Sequence, residues 1–292
     1  ANGIVFENAK PYIVDHIVKT GCADISDVKI QNGDELISVD GIKTDQEKSR
    51  EYYFIRSKMP DEITLGFRRG TKEFTVKIHP VSYNAMQSQL YDEWVASNRK
   101  RVDELSKNQI AYVYMKDMTG PSFDQFAKDM VTDSVNQRKA LILDLRYNTG
   151  GNVHDKVLQF LSQRPYLQWK YRNGKMSPQP DFAPAAKPII LLVNEQTLSD
   201  GEMTAAGFKE LKLGKIIGTD TYHWIIFTSA KGLVDGSSVR LPSWGCFTLD
   251  GKNLENTGVS PDIPVKNSFE DRINDKDPQI IRAVEEIMKG LK

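Results

Sequence analysis

Cysteine is scarce in this sequence, and its two occurrences, Cys22 and Cys246, lie far apart along the chain. Their spacing matches no metal-ligand pattern, so we expect two buried thiols, no metal and no cofactor. An excess of charge of one sign is missing too, because 39 basic residues balance 39 acidic ones. This balance gives no reason to expect nucleic acid or an anionic membrane surface as a partner.

Long apolar runs are also absent. No run approaches the roughly 20 residues that a membrane-spanning helix needs, so we expect no membrane span. The hydrophobic share of 39% and the charged share of 27% are those of a globular protein with a packed core. A chain of 292 residues exceeds one small core, which predicts about two domains.

What is present is a serine at an informative place, at the end of the segment 188–202. The apolar run at its start predicts a strand buried on both faces. Asp200 and Glu202 suit the first turn of a following helix. A hydroxyl at such a turn, Ser199, lies beside unpaired backbone N–H groups, which together are the nucleophile and oxyanion hole of a serine hydrolase. Serines also cap helices, so the pattern alone fits a plain cap equally well.

The segment 140–151 repeats this arrangement upstream. A buried strand runs into Asn148, Thr149 and a Gly150–Gly151 pair, and a helix is predicted over residues 153–161. Paired glycines after a strand let the backbone turn sharply and direct its N–H groups outward. Both turns follow strands of one α/β domain, so we expect them at the same edge of the sheet.

Four segments together resemble a known family, the tail-specific (C-terminal processing, S41) serine peptidases, and most of all their tricorn-protease branch. The segments are 144–151, 194–202, 213–219 and 255–263. Their order matches the family, and the resemblance covers about residues 3–290. It implies a mixed α+β and α/β fold, in which a crotonase/ClpP-like α/β core domain carries the nucleophile.

The resemblance and the element pattern divide the chain into three parts. Residues 3–80 alternate short strands with turns, and the segment 32–41 resembles a PDZ domain, a module that captures peptide C-termini by strand addition. A rigid spacer is the alternative, since no carboxylate-binding glycine loop is visible near Gly3. Residues 81–107 are predicted as a linker helix and residues 108–292 as the peptidase core. Within the core, residues 172–187 are predicted as a loop over the sheet that contributes to the substrate cleft.

The resemblance also bears on the general base. One branch of the family uses a lysine, but the matching position here is Trp224, which excludes a Ser–Lys dyad. The tricorn branch uses a histidine from a region before the PDZ domain, supported by a glutamate that matches Glu255. That region is absent, so we expect a C-terminal piece of a larger protease, weakly active or inactive alone. His223 is the alternative base, although its position favours an ordinary surface-loop histidine.

The remaining residues have implied or structural roles. The resemblance implies an oxyanion hole formed by the Asp200 amide with that of Gly150 or Gly151. His154 is expected on a helix surface, and Asp144 and Arg146 are expected to fix the strand end.

Three functions remain open. The first is a serine endopeptidase that cleaves peptides or unfolded proteins through a Ser199 acyl-enzyme. The second is an inactive peptide-binding scaffold whose cleft is filled by residues 222–224. The third is a crotonase-like acyl-CoA enzyme, which the lack of a CoA-phosphate site disfavours. The tricorn resemblance further implies a homo-oligomer and a cytoplasmic location, with a periplasmic or secreted location as the alternative.

Overall fold

The computed structural model describes residues 1–180 and 183–291, and the chain divides into two compact units. The first unit is residues 1–97, and the second begins at Asn98. The boundary falls within one long helix, so each unit is described by itself. In the described ranges, none of the helices combines the length and apolar character needed to cross a membrane.

The first unit is built mainly from short antiparallel strands and is followed by a helix. In chain order its elements are β1 (Ile4–Phe6), β2 (Val14–Ile17), β3 (Glu35–Val39), β4 (Ile42–Lys43), a 3-10 helix (Arg50–Phe54), β5 (Ile63–Arg69), β6 (Lys72–Ile78) and α1 (Tyr83–Ser106). One sheet has the order β4-β3-β5-β6, and β1 pairs with β2 in another. Alternate residues of β5, Ile63, Leu65 and Phe67, are buried in a common core. The sequence 62–78, with a glycine at position 70 between two strand-like runs, predicts a hairpin, and β5 and β6 form it.

The second unit alternates strands and helices. In chain order it contains β7 (Ile110–Tyr114), α2 (Gly120–Val131), α3 (Asp133–Asn136), β8 (Ala140–Asp144), α4 (His154–Leu161), β9 (Leu167–Trp169), β10 (Ser177–Gln179), β11 (Ile189–Val193), α5 (Asp200–Glu210), β12 (Lys215–Gly218), β13 (Ile226–Gly232), β14 (Ser238–Gly245), β15 (Ile263–Pro264), α6 (Phe269–Ile273) and α7 (Pro278–Gly290). The expected α/β class is confirmed by this order and by its parallel sheet.

The central sheet has five strands in the order β15-β12-β11-β8-β7, and every neighbouring pair is parallel. All five residues of β8 and of β11 are buried. Leu143 and Leu191, which lie opposite each other, share a core with Phe126 of α2, Leu158 of α4 and Phe208 of α5. Helix α7 packs on β11 and β12 with its own buried apolar residues. Because these strands are covered on both faces, their sequences are continuous apolar runs rather than alternating ones.

Two antiparallel ribbons, β9–β10 and β13–β14, are separate from this sheet, and the sequence predicts them incompletely. Residues 172–187 are not a plain loop, because Ser177–Gln179 forms β10 and pairs antiparallel with β9. Residues 181 and 182 of that predicted loop lie outside the described residues. The sequence also predicts short strands at 225–228 and 238–241. These overlap the first halves of β13 and β14, and each half pairs with the second half of the other strand, which was not predicted. Both ribbons are largely exposed, so no buried face imposes a recognisable pattern on their sequences.

Candidate active site

Ser199 occupies a strained turn between β11 and α5. Its backbone has φ 54° and ψ −114°, a conformation that a residue with a side chain rarely adopts. Strain of this kind persists only where the surrounding structure enforces it, and it clusters at functional sites. The side chain is half-buried, at the carboxyl end of the sheet. Ser199 is also the N-cap of α5, and the Glu202 side chain accepts from its amide as in a capping box, but a plain cap would use extended backbone, so capping alone does not account for these angles.

The Gly150–Gly151 turn lies directly against Ser199. A Cβ placed on Gly150, where φ is 79°, would lie 2.8 Å from the Ser199 Cβ and 3.3 Å from the Asp200 nitrogen. A Cβ on Gly151, where φ is 156°, would lie 2.1 Å from the Met118 oxygen. Both positions require glycine, the first for the closeness of the serine and the second for the closeness of a neighbouring backbone. The expectation that the two turns share one edge of the sheet is thus met.

Asn148 holds the two turns together. Its carbonyl oxygen accepts from the Leu198 amide at 2.9 Å, and its side-chain Oδ1 accepts from the Gly150 amide at 2.9 Å. Its Nδ2 donates to the Met115 oxygen at 2.9 Å, and the residue is fully buried. The position of the glycine turn relative to Ser199 is therefore fixed by one side chain and one backbone bond.

The backbone amides around Ser199 differ in whether they already donate a hydrogen bond within the protein. The Gly150 amide donates to Asn148. The hydrogen bonds of the described residues include none from the amides of Gly151 and Asp200. Asp200 is the first residue of α5, where a free N–H is expected. Two free amides on separate elements thus flank the turn that carries the serine.

Glu202 organises the other side of the turn. Its carboxylate is fully buried and accepts four hydrogen bonds, from the Ser199 amide at 2.9 Å, Thr221 Oγ1 at 2.6 Å, the His223 amide at 2.8 Å and the Trp224 amide at 3.0 Å. The same oxygen, Oε2, accepts from Ser199 and Trp224, so those two backbone nitrogens lie close together. The sequence predicts Glu202 only as a residue of the first helical turn. Its hydrogen bonds to residues 221–224 join segments that are far apart in the sequence, so no local pattern indicates them.

His154 contacts the turn as well, although the sequence placed it on a helix surface. Its Nδ1 lies 2.5 Å from Asp200 Oδ1, and Asp200 Oδ2 accepts from the Val153 amide at 2.7 Å and the His154 amide at 3.0 Å. The hydrogen bond with Asp200 raises the pKa of His154 above its usual value, and partial burial opposes this rise. Asp200 therefore joins the start of α4 to the start of α5. Nothing in the sequence spacing indicates this pair.

Among the described residues, no hydrogen bond joins Ser199 to His223, the alternative base, or to Glu255, the residue expected to support the base. In that part of the chain, the Ser199 hydroxyl forms no hydrogen bond with any imidazole. The His223 ring packs against Gly258, since a Cβ placed there would lie 2.3 Å from His223 Cδ2. Glu255 is half-buried on the same loop as Gly258, and in the described ranges its carboxylate has no ion pair. The same ranges hold no group of three or more side chains suited to bind a metal ion.

Asp144 and Arg146 fix the end of β8, as the sequence indicates. The Arg146 side chain is 1% exposed and contacts Asp144 Oδ2 at 2.7 Å and Asp277 Oδ2 at 2.8 Å. Tyr112 Oη donates to Asp144 at 2.7 Å, and Asp277 caps α7 by accepting from the Ile280 amide. A buried charge needs such partners, so this cluster ties the site's strand to α7.

Comparison with known proteins gives matches to one family. The model of peptidase family S41 matches residues 109–265. The tricorn protease of Thermoplasma acidophilum is 34% identical over 69% of this chain, and a Sulfurisphaera tokodaii protein that bears the name tricorn-like protease C-terminal subunit is 33% identical over 90%. The crystal structure of the tricorn protease superposes on 90% of the chain with a TM-score of 0.75 at 27% identity.

The chain is much shorter than these relatives. It spans 19% of the Thermoplasma protein, 30% of the Sulfurisphaera protein and 25% of the crystallised tricorn chain. The resemblance inferred from the four sequence segments is confirmed by the family match and by the identity to the relatives. The chain therefore belongs to peptidase family S41.

Proposed function

We propose that the chain is the nucleophile-bearing part of a serine peptidase, with Ser199 as the attacking residue. The strained backbone of Ser199 beside two free amides carries this proposal. A helix cap also leaves the Asp200 amide free, but it needs neither the strained backbone nor a second free amide from another turn. An acyl-transfer site needs both, because the nucleophile must be presented and the developing oxyanion must be stabilised.

The oxyanion hole is assigned to the amides of Gly151 and Asp200. The Gly150 amide is committed to Asn148, which favours Gly151 of the two glycines that the sequence left open. Each such donor typically stabilises the transition state by about 3 kcal/mol, or roughly a hundredfold or more in rate. The Gly150 position is needed instead for space, because any side chain there meets Ser199.

The proposed reaction is an acyl transfer from the substrate to Ser199 and then to water. Ser199 Oγ forms a bond to the substrate carbonyl carbon as its proton passes to a base, and the amides receive the negative oxygen. The C–N bond then breaks, and the base returns the proton to the leaving amine. Water hydrolyses the ester in a second round of the same proton transfers. We assign the role of the base to a histidine from outside this chain. Glu255 is assigned the role of supporting that histidine.

Chemical rescue tests this assignment in the chain as it stands. Free imidazole supplies the missing base, so we expect it to accelerate the reaction of residues 1–292 with a fluorophosphonate. Intact mass gives the rate and peptide mapping gives the modified residue. The label should lie on Ser199, and Ser199→Ala should reduce the imidazole-dependent rate to background.

Matched controls decide between the interpretations. Ser260→Ala removes an exposed serine and should leave labelling unchanged. No imidazole-dependent labelling, or labelling that survives in Ser199→Ala, contradicts the proposal and favours an inactive scaffold. Strong turnover without imidazole that is lost in His223→Ala would make His223 the base instead.

For the first unit we propose a PDZ-like peptide-binding role. A groove of about 600 Å³ runs along β1 and the 3-10 helix, lined by Phe6 and Phe54 among apolar residues and by Arg50, Arg56 and Lys58 among cations. Arg50 and Arg56 already pair with Glu51 and Asp40, so Lys58 is the one of these three cations with no described ion-pair partner, and it suits the carboxylate of a peptide C-terminus. A fluorescent peptide with a free C-terminal carboxylate should bind better than its amidated form. Equal affinity for the two peptides would support a spacer instead.

A further inference from the structure

The β9–β10 ribbon carries a surface that the peptidase chemistry does not use. We define the basic ribbon as residues 164–179, which include both strands. We propose that the basic ribbon binds an acidic, extended polypeptide segment. That this segment belongs to a substrate rests on the proposed peptidase function, whereas the binding itself requires no catalysis.

Charge is the first support. The ribbon carries Arg164, Lys170, Arg172 and Lys175, all exposed, and no acidic residue between positions 163 and 180. None of these four cations forms an ion pair with any described residue. Four cations within 16 residues that contain no acidic residue, in a chain with zero net charge, favour an anionic partner.

Exposed aromatic rings are the second support. Tyr166 is 70% exposed, Trp169 54% and Tyr171 83%. The Trp169 and Tyr171 rings pack on each other with centroids 6.2 Å apart. Large exposed rings grouped in this way are typical of surfaces that bury them against a partner, where they supply most of the binding free energy.

A groove runs beside the ribbon and gives the partner a place. Its volume is about 390 Å³, with Trp169, Lys170, Tyr171 and Lys175 on the ribbon side and Asp133 and Asn136 from α3 in the lining. A channel for a phosphate backbone is lined by cations throughout, whereas this lining includes a carboxylate. The mixed lining suits a polypeptide, in which acidic and neutral side chains alternate.

The free strand edges also favour a polypeptide over a nucleic acid. Within the described part of the chain, β9 and β10 pair only with each other. β9 therefore keeps one edge of unpaired N–H and C=O groups, which a third, extended strand can satisfy, whereas Pro178 leaves β10 without an N–H at its centre. A nucleic acid has no backbone N–H to complete such a ladder.

The ribbon is separate from the chemistry. The groove includes Asn136, just before β8, so it lies near the amino end of that strand. Ser199 follows the carboxyl end of the adjacent β11. A strand of five residues is roughly 16 Å long, so a segment on the ribbon leaves Ser199 accessible. The ribbon is therefore expected to change substrate affinity and not the acylation step.

Fluorescence anisotropy tests the proposal directly. The protein is residues 1–292 carrying Ser199→Ala, which prevents cleavage. The probes are a labelled 12-residue peptide of alternating Glu and Val, the same peptide with Lys for Glu, and a 12-nucleotide oligothymidylate. We expect the Glu peptide to bind at least about tenfold more tightly than the Lys peptide, with affinity that falls as salt rises.

Charge reversal locates the site. Lys170→Glu with Lys175→Glu should weaken Glu-peptide binding about tenfold or more, and Trp169→Ala should weaken it at every salt concentration. The control Lys231→Glu with Lys266→Glu changes two other exposed lysines and should alter affinity less than twofold. Equal binding of the two peptides, an unaffected ribbon variant, or tighter binding of the oligothymidylate would each overturn the proposal.

The two proposals fail independently. Imidazole-dependent labelling of Ser199 should be unchanged in the Lys170→Glu, Lys175→Glu protein. Lost labelling with intact peptide binding would contradict only the peptidase assignment, and the reverse result would contradict only the basic ribbon.

Discussion

Replacing Glu202 with glutamine is expected to loosen the turn that presents Ser199 without changing the size of the side chain. One carboxylate oxygen accepts from Thr221 Oγ1 and the His223 amide, and the other accepts from the amides of Ser199 and Trp224. A glutamine keeps one oxygen but puts an NH₂ donor where the second oxygen was. Whichever way the amide is oriented, at least one buried backbone N–H then faces another donor.

The less costly orientation places the NH₂ toward Thr221 and His223. The Thr221 hydroxyl can accept a hydrogen bond, so the His223 amide alone loses its acceptor. An unsatisfied buried donor costs about 1–3 kcal/mol, and the remaining bonds weaken because the acceptor is no longer charged. We therefore expect Glu202→Gln to lower the free energy of local opening at this turn by about 2–4 kcal/mol.

Hydrogen–deuterium exchange is the suitable assay, because the chain has two compact units and a single melting temperature would mix them. Exchange of the amides of Ser199, His223 and Trp224 should accelerate by roughly 30-fold to several hundredfold, as that free energy implies. The control Glu210→Gln removes an exposed carboxylate from the same helix and should leave these amides unchanged. If the free energy of local opening at this turn in Glu202→Gln stays within about 0.5 kcal/mol of the parent value, the role given to the Glu202 carboxylate is wrong.

Three further predictions concern the surrounding contacts. Gly151→Ala should abolish imidazole-dependent labelling of Ser199, because its Cβ would lie 2.1 Å from the Met118 oxygen; full labelling would show that this backbone can move. Arg146→Ala should destabilise the second unit by about 3–5 kcal/mol in urea unfolding, since two buried carboxylates lose their partner, and a loss under about 1 kcal/mol would contradict that. The pKa of His154 is raised when folded, so its contribution to stability is full below the unfolded pKa of about 6.5 and is lost as pH rises through the folded pKa. The difference in unfolding free energy between the parent and His154→Gln should therefore shrink as pH rises, and a difference that grows would contradict the ion pair.

Most of the core could be predicted because its strands are buried on both faces. The runs at β8 and β11 are apolar at every position, and strands with that pattern belong to parallel sheets. The prediction that the turns after β8 and β11 lie at the same edge of the sheet needed no distance information. It rests on the fact that parallel strands all end at the same side of the sheet.

The site itself could be predicted only as far as its residues are close in sequence. Ser199 and the two glycines are found from turns that follow strands, which is local information. The choice between Gly150 and Gly151 depends on Asn148, whose side chain takes one of the two amides. The roles of Glu202 and His154 depend on contacts with residues 19 to 46 positions away, and no local pattern encodes them.

The exposed ribbons were the weakest part of the prediction for a related reason. Residues 172–187 were expected to form a loop, because β10 is short and contains Pro178. A ribbon without a buried face shows no alternation of apolar and polar residues, so its pairing cannot be inferred from pattern.

A crystal structure of the chain labelled at Ser199 by a fluorophosphonate would show whether the amides of Gly151 and Asp200 form the oxyanion hole. We expect the phosphonyl oxygen to lie within about 3.1 Å of both the Gly151 and Asp200 nitrogens, with the Gly150 amide still bonded to Asn148. An oxygen directed away from these amides, or held by Gly150 after Asn148 has moved, would contradict this expectation.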